Sequence, residues 1–490
     1  MKTLHINKKD NVLIALEKGR INDKINDFLL LNDVEAGHKI ALCNIKKNQP
    51  IIKYGESIGH ATCLIKKGEH VHSHNMKTNL SGTINYKYNP VHIPTNKIST
   101  KLELTGYKRY NKKVGIRNEL WVIVTVGCIN SIANQIVNEF KSKHSLSDID
   151  GIFTFNHPYG CSQMGEDQEN TIQILRNIVM HPNAGGVLVL GLGCENNQLK
   201  PFYDSLGTID SNRIRYLNCQ DVENEIKEAV IILEEIYEIM RLDKREKIKF
   251  SDITFGLKCG GSDGFSGITA NPLVGYFSDK MISLGANSIL SEVPEMFGAE
   301  HILMNRACNE TVFHKIVHLI DDYKNYFISH NQVVYENPSP GNKEGGITTL
   351  EEKSLGCIQK AGTSKIVDVL NYGNIRKKDG LSLLYGPGND MVSVTAMASA
   401  HAQLVLFTTG RGTPFGGFVP TIKISTNTEL YNKKKNWIDF NAGVLLENKT
   451  MEETSNDLIE EIVNIINGKK AKNEINNCRE IAILKKGVTL

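Results

Sequence analysis

The stretch ELWVIVTVGCINSIANQIVNEFKSK, residues 119–143, decides the fold of this chain. Its first part, up to Val126, is a nearly continuous apolar run typical of a buried strand, and the part after Cys128 has the apolar spacing of a helix. The same alternation continues through GIFTF (151–155) and GVLVLGL (186–192). Continuous apolar strands that alternate with helices indicate parallel βαβ units.

A second series of this kind begins at DITFGLKCGG (252–261) and runs to TIKIST (421–426). On the N-terminal side, short extended runs broken by Gly and Asn are typical of a small β domain. Between them lies a Pro-, Asn-, Ser- and Thr-containing stretch without helical periodicity, which indicates a linker. The sequence therefore predicts an α/β protein with a β domain at 1–79, a linker at 80–106, a first α/β domain at 107–247 and a C-terminal α/β domain at 248–490.

Composition excludes several classes of protein. The 490 residues carry 57 Lys and Arg against 54 Asp and Glu, dispersed along the chain. A nucleic-acid-binding face would concentrate its basic residues, and no apolar run reaches the about 18–20 residues of a membrane span. The N-terminus lacks the apolar core of a signal peptide, and ten cysteines are thinly spread, unlike those of a disulfide-rich secreted domain. We expect a cytoplasmic protein without nucleic-acid or membrane partners.

Three cysteines follow glycines directly after the apolar runs of the first α/β domain. They are Cys128, Cys161 and Cys194, at equal intervals of 33 residues (from 128 to 161 and from 161 to 194). As small apolar residues they could simply pack beside glycine at a strand end, which is the favoured interpretation. They could instead be iron ligands, but iron–sulfur ligation needs several thiolates at one point. A sequence cannot show such convergence, and we expect no iron–sulfur absorption.

Ligands of open α/β sheets bind beyond the carboxyl ends of the strands, so the residues that follow each apolar run of the C-terminal domain matter most. Here a glycine-rich turn, able to offer backbone N–H groups to an anion, is followed along the chain by carboxylates and an arginine. Any one of these is more often a cap or a surface charge. Their joint placement favours a site for a metal and an anion, formed by Gly260, Gly261, Ser262, Asp263, Glu292, Glu295, Asp390 and Arg411.

Two further segments carry candidate residues. In HVHSHN, the histidines His70, His72 and His74 would share one solvated face of a strand, about 6.5–7 Å apart, and could bind a metal or transfer protons; surface chance is the alternative. The segment NPSPGNKEGGITTLEEKSLG (337–356) is polar and loop-like, and such loops usually cover a ligand. A solvated linker is the alternative for this segment.

Several long motifs resemble the altronate dehydratase family, whose wider membership includes galactarate dehydratases and sulfolactate sulfo-lyases. The resemblance covers the chain from end to end, and the altronate branch is the most similar. The motifs that carry it are HVHSHN (70–75), YGCSQ (159–163), HPNAGGVLVLGLGCENN (181–197), CGGSDGFSGITANP (259–272), EVPEMFGAEH (292–301) and FTTGRGTPFGGFVPTIKI (407–424).

The resemblance implies an N-terminal SAF-type β-clip domain and two α/β domains, the last a Rossmann-like variant. It also implies a divalent metal, usually iron, and activity under reducing conditions. We expect ferrous iron, or manganese in its place, no nucleotide cofactor, and a homo-oligomer, namely a dimer. The expected reaction removes water from D-altronate to give 2-dehydro-3-deoxy-D-gluconate. A nicotinamide-dependent oxidoreductase and a non-catalytic sugar-acid-binding regulator are the alternatives; the first needs a G-x-G-x-x-G turn, and no strand here ends in one.

Dehydration beside a carboxylate needs a base, an acid and a group that stabilises the negative charge. We therefore expect catalytic roles for His72, His74, Lys343 and Glu295. Substrate binding is expected of Gly260, Gly261, Ser262, Asn342, Thr348, Thr349 and Arg411. The candidate metal ligands are His70, His72, Asp263, Glu292, Cys128, Cys161 and Cys194.

Overall fold

A computed structural model describes residues 1–81, 84–94, 100–447 and 449–487. Its N-terminal part is a small β domain of short antiparallel strands, as predicted, with sheet orders β1-β2-β5-β8, β6-β7-β9 and β3-β4. The strands are β1 (Thr3–Leu4), β2 (Val12–Ala15), β3 (Lys24–Ile25), β4 (Phe28–Leu29), β5 (Lys39–Ala41), β6 (Pro50–Lys53), β7 (Glu56–Ala61), β8 (His70–Val71) and β9 (Met76–Lys77).

The predicted linker leaves this domain and lies along the C-terminal domain. Within its described residues up to 103 there is no helix or strand, while residues 82–83 and 95–99 lie outside the described part. The Tyr88 hydroxyl donates a hydrogen bond to the Ala307 carbonyl over 2.9 Å, and the Val91 amide donates one to the Asn305 carbonyl. The last residues of the predicted linker, 104–106, already belong to a strand.

The second part is an α/β unit whose four-stranded sheet is parallel, in the order β13-β12-β14-β15. Leu120 and Val122 pack on one face with α1 and α4, and Trp121 and Ile123 pack on the other face with α2. A small antiparallel sheet, β11-β10-β16, includes a strand that crosses the predicted boundary at 247. The elements are β10 (Leu104–Lys108), β11 (Val114–Gly115), β12 (Glu119–Val124), α1 (Asn130–Lys143), β13 (Gly151–Thr154), α2 (Gly165–Val179), β14 (Ala184–Gly191), α3 (Leu199–Asp204), β15 (Ile214–Asn218), α4 (Glu225–Met240) and β16 (Glu246–Ile248).

The third part is built on a seven-stranded parallel sheet in the order β19-β20-β18-β17-β21-β22-β23. The predicted fold class is thereby confirmed. The elements are β17 (Thr254–Cys259), α5 (Ala270–Ser283), β18 (Asn287–Leu290), α6 (Glu300–Met304), α7 (Glu310–Ser329), α8 (Pro340–Glu344), α9 (Leu350–Cys357), β19 (Ile366–Leu370), β20 (Leu381–Leu384), α10 (Asp390–Ser399), β21 (Leu404–Thr409), β22 (Thr421–Ser425), α11 (Thr428–Lys433), β23 (Phe440–Asn441), α12 (Met451–Ile466) and α13 (Lys472–Ile475).

The central strand of this sheet is also its first. From β17 the chain builds one side of the sheet with β18, β19 and β20, and then crosses to build the other side with β21, β22 and β23. A crevice forms beyond the carboxyl ends of the strands where the order reverses in this way. The residues that follow β17, β18 and β21 are therefore the first place to look for a site.

The β domain is docked firmly on the C-terminal domain. Lys39 and Lys53 both reach Glu352 over 2.8 Å, and all three side chains are buried. Beside them, the backbones of Gly37 and Gly264 are so close that a Cβ on Gly264 would lie 2.0 Å from the Gly37 carbonyl oxygen. In the described part of the chain, no helix has the length and apolar character needed to cross a membrane.

Candidate active site

A buried cluster of charges lies at the carboxyl ends of β17 and β18. Lys258, within the apolar run of β17, has its Nζ 2.5 Å from Glu292 Oε1 and 3.0 Å from Asp390 Oδ1. The Cys259 amide donates a hydrogen bond to Glu292 Oε2 over 3.1 Å. Lys360 approaches that same oxygen to 3.2 Å. The structure thus brings together residues that lie at, or shortly beyond, the carboxyl ends of β17, β18 and β20.

Glu295 forms a second pair beside this cluster. Lys353 Nζ lies 2.9 Å from Glu295 Oε1, and the Cys357 thiol donates to Oε2 over 3.0 Å. Lys353 also donates to Asn342 Oδ1 over 3.2 Å. The ends of β17 and β18 and the two helices α8 and α9 therefore meet around three carboxylates, counting that of Asp390, and three ammonium groups.

The two glutamates differ in their protonation. Burial raises the pKa of Glu292 to about 7 against the opposing pull of Lys258 and Lys360. Burial also acts on Glu295, but Lys353, Lys258 and Lys360 outweigh it and lower the pKa of Glu295 to about 2. Glu295 is consequently ionised at neutral pH, whereas Glu292 titrates near neutrality.

The glycine turn after β17 shapes the space above these charges. A Cβ on Gly260 would lie 2.6 Å from both Asp390 carboxylate oxygens, so the absence of a side chain at 260 lets Asp390 approach the turn. Gly261 has φ of +62°, a conformation that favours glycine. The Ser262 hydroxyl contacts Cys259 Sγ over 2.7 Å. The turn therefore belongs to the cluster, as its position after the strand predicts.

A cavity of about 440 Å³ opens onto this turn. The side chains of Glu295, Lys353, Asn342 and Asp390 line it, together with the Gly260–Gly261 backbone and apolar residues such as Phe327. With Glu336, three carboxylates and an ammonium group thus line one space, whose size suits a small organic acid.

Other predicted site residues lie elsewhere. The Asp263 carboxylate accepts hydrogen bonds from Ser266, Phe265, Thr426 and Asn427, so it holds the loop together and does not join Glu292. Arg411 pairs with Glu344 over 2.8 Å and lines a separate cleft of about 680 Å³ between the β domain and the C-terminal domain, as Asp263 does.

The hydroxyls of Thr348 and Thr349 form hydrogen bonds where the β domain contacts the C-terminal domain. The Thr348 hydroxyl donates to Glu352 over 2.7 Å, and the Thr349 hydroxyl donates to the Ile58 carbonyl over 2.6 Å. The structure places neither hydroxyl on the cavity. Their predicted role in substrate binding stays a prediction.

The histidines form a cluster of their own. The prediction of one solvated strand face is wrong, because β8 ends at Val71 and His72 and His74 lie on a turn held by hydrogen bonds of Asn75 to His72 and His70. The rings of His38, His70 and His72 are 5.1–5.4 Å apart by their centroids.

These imidazoles face helix α8. A ring nitrogen of His72 lies 2.9 Å from the Lys343 carbonyl, so Lys343 meets the cluster through its backbone. Burial lowers the pKa of His70 to about 3 and that of His72 to about 4, so both rings are neutral at pH 7. Helix α8 separates them from the cavity, because its Asn342 side chain faces Ser262 and Lys353.

The fit of a metal ion to these residues can be tested directly. Within residues 1–81, 84–94, 100–447 and 449–487, no group of three or more His, Cys, Asp or Glu side chains is arranged to hold a metal ion. Glu292 and Glu295 are already paired with lysines. The predicted thiol ligands Cys128, Cys161 and Cys194 are exposed on the second domain.

Two lysines of the cluster, Lys258 and Lys360, were missed in the sequence. Lys258 lies in the apolar run TFGLKC, and its side chain is buried. A lysine in a strand that is buried on both faces requires an anionic partner, and that signal could have identified it. Lys360 and Cys357, at the end of α9 and just beyond it, carried no comparable signal.

Comparison with known proteins agrees with this architecture. Three family profiles match: the altronate/galactarate dehydratase SAF domain over residues 1–79, the D-galactarate dehydratase/altronate hydrolase second domain over 106–241, and the D-galactarate/altronate dehydratase C-terminal domain over 250–489.

Full-length relatives agree as well. The chain is 52% identical to the altronate dehydratase of Bacillus subtilis (strain 168) over 99% of both chains. It is also 52% identical to that of Escherichia coli (strain K12) over the whole of both chains. With the galactarate dehydratase (L-threo-forming) of Escherichia coli it shares 34% identity over 95% of this chain and 93% of the relative. The chain therefore belongs to the altronate/galactarate dehydratase family.

Proposed function

We propose that this chain is an altronate dehydratase, a hydro-lyase that converts D-altronate to 2-dehydro-3-deoxy-D-gluconate. The observation that carries this proposal is the 52% identity, over the whole chain, with two altronate dehydratases. Identity to the galactarate enzyme is lower, at 34%. That difference favours an aldonate with one carboxylate over an aldarate with two.

The cavity supports the chemistry of this reaction. The substrate carboxylate binds Lys353, which lines the cavity beside the Gly260–Gly261 turn. Glu295 keeps Lys353 charged and in place through their 2.9 Å contact. Positive charge at the carboxylate stabilises the negative charge that develops when the adjacent C2 proton is removed.

Asp390 is the base in this proposal. Its carboxylate lines the cavity and is partly exposed, whereas Glu292 is buried behind the Cys259 amide. Asp390 removes the C2 proton and returns it to the hydroxyl that leaves C3, so that one water molecule is lost. The resulting enol rearranges to the 2-oxo acid. Lys258, 3.0 Å from Asp390 Oδ1, holds the carboxylate in position.

Ferrous iron, possibly replaced by manganese, is part of the proposal on the strength of the family resemblance alone. A bound divalent cation would neutralise charge beside the substrate carboxylate. Glu292 and Glu295 form ion pairs with lysines. Among the described residues, no group of three or more His, Cys, Asp or Glu side chains is arranged to hold a metal ion. We therefore assign no step to the ion. We also propose that the enzyme is a homodimer, which light scattering on the purified protein would test.

The decisive experiment compares D-altronate and galactarate as substrates under reducing conditions with ferrous iron and without nicotinamide. We expect 2-oxo acid from D-altronate. Asp390→Asn should lower kcat by about 10²–10⁴-fold, the usual effect of losing a general base. Asp379→Asn, at a side chain that is 82% exposed, is the matched control and should leave kcat unchanged. Turnover of galactarate but not D-altronate would refute the substrate assignment, and an active Asp390→Asn enzyme would refute the role of Asp390.

A further inference from the structure

One carboxylate of the cavity takes no part in the proposed reaction. Glu336 lines the cavity together with Glu295, Asp390 and Lys353. It lies in the segment between α7 and α8 and is exposed. In the described part of the chain, its carboxylate has no hydrogen bond or ion pair with another residue. A ligand in the cavity therefore meets a negative charge that the protein leaves unpaired.

The other two carboxylates of the cavity are each paired with a lysine. Glu295 lies 2.9 Å from Lys353 Nζ, and Asp390 lies 3.0 Å from Lys258 Nζ. Lys258 is fully buried and does not line the cavity. Among the described residues that do line it, Lys353 carries the only positive charge. The cavity therefore offers one ammonium group to a ligand, and Glu336 adds a charge of the opposite sign.

The segment that carries Glu336 is fixed beside that ammonium group. Lys353 Nζ donates to the side-chain oxygen of Asn337 over 3.0 Å and to that of Asn342 over 3.2 Å. The Asn342 side chain in turn donates to the Ser262 carbonyl over 2.8 Å. Neighbouring Cα atoms are about 3.8 Å apart, so the backbone of Glu336 lies next to a residue that contacts Lys353.

The size of the cavity brings every charge of a bound ligand within reach of Glu336. A volume of about 440 Å³ corresponds to a sphere about 9 Å across, less than the Debye length of about 10 Å at 0.1 M salt. Salt therefore screens the repulsion between Glu336 and a bound carboxylate only in part. This holds whichever end of the ligand contacts Lys353.

We infer that Glu336 is a specificity-determining residue, which makes the cavity select acids with one carboxylate over acids with two. The first carboxylate of either ligand binds Lys353. A second carboxylate finds no further cation among the described residues that line the cavity, and Glu336 repels it. The inference rests on the proposed function, because it takes this cavity to be the substrate site, and it gives a physical cause for the preference for an aldonate.

The test compares D-galactonate with galactarate, which share one carbon chain and differ by one carboxylate. Their Kd values are measured by calorimetry on the purified full-length enzyme. The wild type should bind galactonate more tightly. Glu336→Gln should lower the ratio of the galactarate Kd to the galactonate Kd by about 2- to 15-fold, as expected for unit charges about 10 Å apart at effective dielectric constants between about 80 and 20. Glu310→Gln, at a side chain that is 76% exposed and outside the cavity, is the matched control and should keep the wild-type ratio.

A second measurement uses the wild type itself. Raising the salt concentration from about 0.05 M to about 0.5 M should lower the same ratio, because screening weakens the repulsion of the second carboxylate. The change should be smaller in Glu336→Gln. An unchanged ratio in Glu336→Gln, or galactarate that binds neither protein, would overturn the inference even if the enzyme converts D-altronate. A lowered ratio in an enzyme that does not convert D-altronate would support the inference about charge and refute the proposed reaction alone.

Discussion

The buried ion pairs of Glu352 offer a sharp test of how the β domain is held. Glu352 Oε1 and Oε2 accept from Lys53 and Lys39, each over 2.8 Å, and Thr348 donates to the same carboxylate. The two lysines belong to the β domain and Glu352 to α9. The two ammonium groups lower the pKa of Glu352 far below its usual range despite burial, which acts in the opposite direction. Glu352→Gln removes this charge and leaves two buried ammonium groups without an anion.

The expected cost follows from burial. Removing one partner of a buried ion pair destabilises a protein by about 3–5 kcal/mol, because the remaining charge is uncompensated. Glu35→Gln is the matched control, since it breaks the Lys18–Glu35 pair, whose side chains are each 60% exposed. An exposed pair contributes about 0–1 kcal/mol. The two substitutions remove the same charge, so their difference isolates burial.

The effect is measured by amide hydrogen exchange and by the midpoint of denaturant unfolding. Glu352→Gln should increase exchange throughout residues 1–79 and lower the unfolding midpoint, while Glu35→Gln should change neither measurably. If Glu352→Gln unfolds at the wild-type midpoint with unchanged protection of the β domain, the docking does not depend on these ion pairs and the reasoning fails.

Three further outcomes are expected. The pKa of His72 is lowered to about 4, mainly by burial. Neutral His72 therefore contributes its full share of the folding stability above the ordinary pKa of about 6.5, and this contribution is lost as the pH falls towards 4. His72→Gln should flatten the pH dependence of the unfolding midpoint over that window, and an unchanged slope would contradict this. Gly264→Ala should destabilise the docked state by about 1–3 kcal/mol, because the new Cβ meets the Gly37 backbone. Gly341→Ala is the control and should be tolerated, because there is open space around Gly341. Equal unfolding midpoints for the two variants would speak against the close contact. Exhaustive chelation should abolish D-altronate dehydration and ferrous iron should restore it; full activity in a sample shown by elemental analysis to be metal-free would exclude the metal requirement.

Much of the candidate site could be predicted from the expectation that ligands of open α/β sheets bind beyond the carboxyl ends of the strands. That expectation depends only on the order of the strands and helices along the chain. Glu292, Glu295, Asp390 and the Gly260–Gly261 turn each follow a parallel strand, or lie within a few residues of its end, and parallel strands deliver their carboxyl ends to one edge. Arg411 also follows a strand, yet it faces the cleft towards the β domain. Position along the sheet edge was predictable, and the direction of each side chain was not.

The histidine segment shows a different limit. Alternation in HVHSHN favours a strand, but Asn75 accepts from the His72 amide and donates to the His70 carbonyl, which closes a turn. Asn is a common turn residue because its side chain bonds to nearby backbone, so the signal was present. The approach of His38 was not foreseeable, since it comes from a distant part of the domain and meets His70 only through the fold.

Helix α9 carries both a residue that docks the β domain and a residue that lines the cavity. Glu352 receives Lys39 and Lys53 from the β domain, while its neighbour Lys353, on the same helix, pairs with Glu295 at the cavity. A movement of α9 on undocking would therefore also shift Lys353 relative to the cavity. If Lys353 binds the substrate carboxylate, Glu352→Gln should raise KM for D-altronate although Glu352 touches no substrate. A variant with an undocked β domain and an unchanged KM would show that the cavity is formed by the C-terminal domain alone.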